Sequence, residues 1–433
     1  MGTRYSALLL TLSISCSPIC FGFSLTDAVN QTLRSHPQLQ TLRNEKQAVE
    51  SEIRQARAAY LPNLSLDAGV GYEDRRAPVT NDESVELRRR ELGLQASQMI
   101  FDGFASTSEV NRHKARLESI TFEERAESER LALRAAQVYL DLLRHAELLK
   151  LTRSSLWEHQ NIYDQMKLRS QSGVGSKADL AQVSARLSLA NANTLVAQAN
   201  LSDAQTNFYR VVGIYPNLEN LQSPKEYGQL PESQDSVLEA AIENHPVLLG
   251  ASADISAAKA QKKAAGSRHW PRLSLEADKR WDDNVGGIEG EDEDLIVALR
   301  LRYDIFSGGE NKARNKQAAY LHEAAKEIRN DTRRQVMENV GLAWNAYDAL
   351  SLQMPHLEGH VEAAETTKSA YSKQFNIGKR TLLDLLNTET EVVEAKRALV
   401  NASYDKLYAR SRIFNSMGNF LESLGLSPDT SEE

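Results

Sequence analysis

The side chains able to do chemistry are few, and their spacing does not assemble them into a reactive site. His356 and His360 stand four residues apart, which places two imidazoles on one helix face, but two histidines are an incomplete metal set and no suitable third ligand accompanies them. His36 and His245 each precede a proline, a pattern that marks a shared backbone turn rather than catalysis. The glycine-rich pieces Val285-Gly286-Gly287 and Ser307-Gly308-Gly309 lack the Lys-Ser/Thr of a phosphate loop, and no serine sits in a G-x-S-x-G elbow. Both cysteines, Cys16 and Cys20, fall within the first 22 residues, so the remainder has no thiol and forms no disulfide. Neither an enzyme nor a cofactor is expected. What is left is charge at two glycine turns, Val174-Gly175-Ser176-Lys177 and Ile377-Gly378-Lys379-Arg380, the second followed by Thr381, Asp384 and Asn387.

Those two turns belong to a larger duplication. His36-Pro37 returns as His245-Pro246, Leu61-Pro62-Asn63-Leu64-Ser65-Leu66 as Trp270-Pro271-Arg272-Leu273-Ser274-Leu275, and Ile100-Phe101-Asp102-Gly103 as Ile305-Phe306-Ser307-Gly308. A period of about 200 residues is too long for a solenoid, so each copy is a half-molecule of matching shape. The first repeat is placed at 23–215, a Pro- and Gly-containing linker at 216–235, the second repeat at 236–422, and a polar tail at 423–433.

Residues 1–22 read as a secretory signal: Arg4, the apolar run Ala7–Leu12, then Gly22, with Phe23 as the mature start. Ser13-Ile14-Ser15-Cys16 offers a lipidation alternative in which Ser13 replaces the usual Leu. Beyond it no stretch approaches the ~20 apolar residues of a membrane helix. The chain carries a net charge of −8 with no basic face, which argues against nucleic-acid binding.

Low aromatic content and only 11 prolines point to long helices. No Gly or Pro occurs between Phe104 and Ser172, a rod of roughly 100 Å if unbroken. Leu131, Leu133, Ala135, Val138, Leu142 and Leu149 form a narrow seam of coiled-coil type. In the second copy Pro355 lies opposite Lys150, and a joint is expected in both long helices around these positions. Shorter helices are expected at 26–60, 177–212, 236–268 and 380–422.

Between the first and second helical segments of each copy the period changes to two. Leu64, Leu66, Ala68, Val70 and Tyr72 alternate with small or polar residues, as do Leu92, Leu94, Ala96 and Ile100. Leu273, Leu275, Ala277 and Trp281 repeat the pattern, then Leu295, Val297, Leu299, Leu301, Tyr303 and Ile305. The hairpins span about 64–101 and 273–306. Each run has about the ten residues that cross an outer membrane on a tilt. Soluble hairpins packed on the helices would show the same alternation. Long apolar side chains on one face, charges on the other and strongly polar tips favour a lipid face and a watery lumen. Four strands cannot close a barrel and lipid cannot satisfy an open edge, so several chains must each lend four.

On these residues the chain resembles the TolC family of outer-membrane efflux and secretion ducts, over essentially the whole mature sequence. The most specific segment is Phe375-Asn376-Ile377-Gly378-Lys379-Arg380-Thr381-Leu382-Leu383-Asp384-Leu385-Leu386, similar to the family's second-repeat tip. Arg169 to Leu180 and Phe101-Asp102-Gly103-Phe104 look especially like the LapE-like agglutination proteins, the branch serving type I secretion of large adhesins. The resemblance implies a homotrimer with a 12-stranded β-barrel and a twelve-helix periplasmic α-barrel. It further implies a periplasmic adaptor, an inner-membrane ATP-binding-cassette transporter and a secreted protein substrate as partners.

It also assigns roles to the tips, about 169–181 and 375–387. Gly175 and Gly378 would take the positive φ of a tight reversal, with Val174, Ser176, Lys177, Ile377, Lys379 and Thr381 meeting the adaptor and Arg380 closing the tip. Asp384 matches a position that projects into the entrance, where three copies form an acidic ring. Asn387 departs from the pattern by holding an amide where a second aspartate often stands, and Ala181 occupies the expected acidic place in the first tip.

Overall fold

The computed structural model describes residues 22–224 and 227–427. The signal reading lies outside the described residues but for Gly22, and of the tail only residues 423–427 fall within them.

The duplication is repeated element by element. α1 (Leu25–Ser35) and α5 (Gln234–Asn244) both have 11 residues, α3 (Ala105–Gln171) and α7 (Glu310–Asn376) both have 67, and α4 (Lys177–Val212) and α8 (Leu382–Met417) both have 36. α2 (Pro37–Ala58) and α6 (Pro246–Gly266) complete the helical pairs, and the short α9 (Phe420–Ser423) follows α8. Between α2 and α3 lie strands β1 (Asn63–Arg75) and β2 (Val85–Phe101), and between α6 and α7 lie β3 (Arg272–Asp283) and β4 (Glu291–Arg302).

Four expectations about element limits need correction. The segments 26–60 and 236–268 are each two helices, because Pro37 and Pro246 occupy the first helical turn and hold His36 and His245 extended, at ψ 125° and 121°. The two histidines do the same job: each Nδ1 accepts the amide two residues on, Gln38 at 3.4 Å and Val247 at 3.3 Å. The segment 380–422 likewise breaks at Gly418, between α8 and α9. No break occurs at Pro355: α7 runs on through it, as α3 runs through Lys150. An interior proline costs about 3 kcal/mol, a local penalty set against the many hydrogen-bonded turns of a 67-residue helix. Lastly, β4 ends at Arg302 rather than reaching 306, because its partner β3 begins at Arg272, just after Pro271.

The described chain forms two compact units. One contains Arg134–Tyr227 and Met354–Asp405 together with residues up to Thr32. Its seam gathers Ala364, Val392 and Ala395, and the buried Tyr139 hydroxyl lies 2.9 Å from the Phe23 carbonyl and 2.6 Å from that of Gln222, where Phe23 and Leu221 make a parallel bridge. The other unit contains Leu33–Leu133, Gly228–Gln353 and the residues from Lys406 on. It holds an antiparallel sheet in the order β1-β2-β3-β4, with β1 and β4 as edges. In the same unit Glu129 of α3 is buried and accepts the Phe420 and Leu421 amides at 2.9 and 3.3 Å, fastening the start of α9.

Candidate functional site

The two glycine turns lie in the first unit, on a common apolar base. Met166 of α3, Val183 of α4, Phe375 of α7 and Leu382, Leu385 and Leu386 of α8 form one buried cluster, with Ile162, Tyr163 and Leu180 against it. Spacings of three and four along α3, α4 and α8 bring their residues to one side, where α7 adds Phe375. The cluster fixes the turns, and the turns expose Val174 and Ile377 at 83% and 67%.

The reversals are built differently from expectation. Gly378 has φ +76°, as a tight turn requires, but in the first tip the positive φ, +75°, belongs to Gly173 rather than Gly175. Gly175 is needed for closeness instead: a Cβ there would stand 3.0 Å from the Ser170 nitrogen, and its amide donates to the Arg169 carbonyl at 3.0 Å. Ser176 then caps α4 through the Ala178 amide at 3.1 Å, and Lys177 opens that helix. Lys379 donates its amide to the Gln374 carbonyl at 2.9 Å.

Asp384 and Arg380 meet within the second tip. Thr381 and Asp384 exchange bonds, the Thr381 amide to Oδ2 of Asp384 and the Asp384 amide to Oγ1 of Thr381, both 3.2 Å, a capping box for α8. The Thr381 hydroxyl and amide, then the nearby Arg380 charge, hold the Asp384 carboxyl below its usual range, so it is ionised. Arg380 stands 3.9 Å from that carboxylate, donates to Gln374 Oε1 at 3.0 Å and lies 4.1 Å over the Tyr371 ring. Asn387 is exposed one turn further on.

One feature of this region escaped sequence reading. Lys368 of α7 reaches the buried Glu389 of α8 at 2.6 Å and Glu158 of α3 at 3.5 Å. Desolvation pulls the Lys368 ammonium pKa down, but the Glu389 bond and charge, with Glu158, carry it above its ordinary value. A lysine and two glutamates in helical periods look like surface charge, and only folding shows that three helices share them. Beside them a groove of 550 Å³ is lined by Trp157, Leu168 and Phe375 among others.

The sheet of the second unit presents the expected faces. Register aligns Leu64 with Ala96, Leu66 with Leu94, Ala68 with Leu92, Ala277 with Val297, Leu275 with Leu299 and Leu273 with Leu301 on one face. Val70 on the same face is 87% exposed. Ile100 is the exception: a bulge after Met99 makes it the extra residue, and Phe101 takes the place opposite Leu273. Lys279 also lies on this face, bonded to Glu293 at 2.9 Å and 5.1 Å over Trp281. The opposite face carries ion pairs, Arg89 to Glu73 at 3.0 Å, Arg300 to Glu276 at 2.6 Å and Arg280 to Asp278 at 3.0 Å. Near the strand ends that adjoin helices, exposed Tyr60, Trp270, Phe104, Tyr303 and Phe306 supply the aromatics typical of a membrane interface. Among the described residues no helix is long and apolar enough to cross a membrane.

The family model for outer membrane efflux proteins matches residues 28–214 and 237–419, both copies of the duplication. The chain belongs to the outer membrane efflux protein family. It is 23% identical to the outer membrane efflux protein BepC of Brucella suis over 97% of this chain and 91% of that one. It is 25% identical to TolC of Escherichia coli over 96% and 86%, and 25% identical to the alkaline protease secretion protein AprF of Pseudomonas aeruginosa over 91% and 84%. The CusC structure, described for its folding and transmembrane channel formation, superposes with a TM-score of 0.80 at 16% identity, covering 94% of each chain. The protein is thus an outer-membrane channel of the TolC family, mainly helical with a four-stranded sheet, and its relatives are channel proteins rather than enzymes.

Proposed function

We propose that the protein is the outer-membrane duct of a type I secretion system, a passive homotrimer that carries a large protein, a repeat adhesin, to the cell exterior. The observation that carries the duct reading is the sheet: a band of exposed apolar residues on one face, flanked towards the hairpin tips by charges such as Arg88 and Arg90, a charged opposite face, and two free edges on β1 and β4. Edges unpaired in one chain must pair in lipid, and three copies give a closed barrel of twelve strands. The likeness to AprF, whose name is that of a secretion protein, and the Arg169–Leu180 segment support export of protein.

The glycine tips receive a periplasmic adaptor that couples the duct to an inner-membrane ATP-binding-cassette transporter, with Val174, Ile377, Lys177 and Lys379 as docking side chains. Asp384 supplies the acidic ring of the entrance, where like charges favour a bound cation. Arg380, through Tyr371, Gln374 and Asp384, holds the closed tip in shape. Asn387 forms an uncharged second tier. A small-molecule efflux duct is the second reading, favoured by the likeness to BepC. Disrupting the gene separates the two: loss of a large surface protein with unchanged drug susceptibility supports secretion, and the converse result supports efflux.

A further inference from the structure

The polar face of the sheet is covered where a water-filled mouth should leave it open. From Val85 to Leu94 on β2 the even positions, on the side of the apolar face, are all exposed, while the odd positions Val85, Leu87, Arg89, Glu91 and Gly93 are half-buried. Leu87 stands opposite Glu73 and Val85 opposite Arg75. The loop joining β3 to β4, residues 284–290, meets this hairpin at Glu73, Arg75, Thr80 and the Arg88 carbonyl.

That loop is fitted to the first hairpin in detail. The Gly286 amide donates to Glu73 Oε2 at 3.4 Å, the oxygen that also accepts Arg89 at 3.0 Å. Gly287 has φ +75°, and a side chain there would begin 2.7 Å from Thr80 Cγ2 and 3.3 Å from Arg75 Cδ, so only glycine allows this approach. The neck of the loop is closed by the Asn284 amide on the Gly290 carbonyl and the Gly290 amide on Asn284 Oδ1, both 2.9 Å. Asn284 also reaches the Arg88 carbonyl at 3.3 Å. Glu73 Oε1, shut from solvent, has no hydrogen-bond partner among the described residues, as a carboxylate sealed beneath a cover would show.

We propose that the β3–β4 loop is an inward-folded flap that narrows the extracellular mouth of the duct, caught by Glu73 and Arg89 and seated through Gly286-Gly287. It rests on the duct reading above, in which the polar face lines the lumen. Three copies would bring three flaps into one opening. Each is held on Glu73 by a single long backbone bond, so an emerging polypeptide can displace it, while large solutes arriving from outside meet a narrowed entrance.

The test uses a reporter thiol at Gln95, which lies on the polar face opposite Ser65 and Asp278, in a chain with no cysteine after Cys20. Cells carrying Gln95→Cys are treated from outside with a small impermeant maleimide and with a bulky polyethylene-glycol maleimide. Because access follows local opening, the bulky reagent should react roughly tenfold more slowly than the small one, and Glu73→Ala or Gly287→Val should remove most of that gap. Glu73→Gln, which keeps an acceptor for the Gly286 amide, should lie between. Equal labelling ratios in the parent and in both disruptive variants, with small-reagent rates unchanged as the mark of intact folding, would overturn the flap. Should the small reagent reach Leu94→Cys but not Gln95→Cys, the face assignment is wrong and the duct reading falls together with the flap.

Discussion

Glu129 and His245 set up an experiment in which two opposing titrations hide each other. Glu129, buried on α3, has its pKa pushed up from 4.5 to about 7, first by desolvation, against the pull of the Leu421 and Phe420 amides and of Arg125. His245, the cap of α6, is pushed down from 6.5 to about 4 by desolvation and then by the Arg125 charge. A carboxyl whose folded pKa is raised favours the folded state at low pH, and that contribution disappears as pH rises from about 4.5 to about 7. A histidine whose folded pKa is lowered does the reverse, favouring the folded state above about 6.5 and losing that contribution as pH falls to about 4. Shifts from 4.5 to about 7 and from 6.5 to about 4 each correspond to up to about 3 kcal/mol, with opposite sign over nearly the same window. The parent should therefore melt at nearly constant temperature between pH 4.5 and 7. Glu129→Gln should leave the histidine slope, with stability rising with pH, and His245→Asn, which keeps a good capping residue, should leave the carboxyl slope, falling with pH. Extending the size scaling of melting temperature to a chain this long, each slope should amount to about 3–6 °C across the window. Calorimetry of detergent-solubilised protein at fixed scan rate reads it out. Two variants with the parent's flat profile would refute the assignment of these groups.

At the tip, Lys368→Met should lower the melting temperature markedly, since stranding a buried carboxylate costs about 3–5 kcal/mol, and the Lys368→Met/Glu389→Met double variant should recover most of the loss in a double-mutant cycle. Arg380→Ser should raise single-channel conductance modestly without altering assembly, because an exposed ion pair contributes only ~0–1 kcal/mol. Asp384→Asn, which keeps an acceptor for the α8 cap, should weaken block by divalent cations at the periplasmic side, and unchanged block would remove Asp384 from the entrance. Charges at Leu299 and Leu301, introduced as Leu299→Asp/Leu301→Asp, should prevent normal membrane insertion of the trimer, each costing up to a few kcal/mol near the midplane. Wild-type yields in the outer-membrane fraction would contradict the lipid face.

The duplication was legible because it is written in residues with special backbones: His-Pro before α2 and α6, Gly after α3 and α7. Period-two alternation placed the strand leucines on one common face for the same reason, since a strand has only two sides. Where several local solutions exist, sequence was less informative. Gly173 and Gly175 stand two apart, and only the folded turn shows which one takes positive φ and which one lets backbone approach backbone. The bulge at Ile100 depends on register with β3, far away in sequence. Lys368, Glu389 and Glu129 look like ordinary helix-surface charges until three-dimensional packing buries their ends. Pro355 breaks nothing because its penalty is local, set against the many hydrogen-bonded turns of α7 on either side.

Two helices of 67 residues and two of 36 leave little freedom for length to drift. Each residue of a helix advances it by about 1.5 Å and turns it by about 100°, so one deletion in α3 would rotate every later side chain away from its seam. The deletion would also draw that turn back from its counterpart. Insertions and deletions should therefore be confined to the hairpin loops and the linker, or arrive in both repeats together as whole heptads. Length itself is then under selection along these helices, a constraint separate from the identity of any side chain, and one that a screen of single-residue deletions along α3 and α7 would map directly.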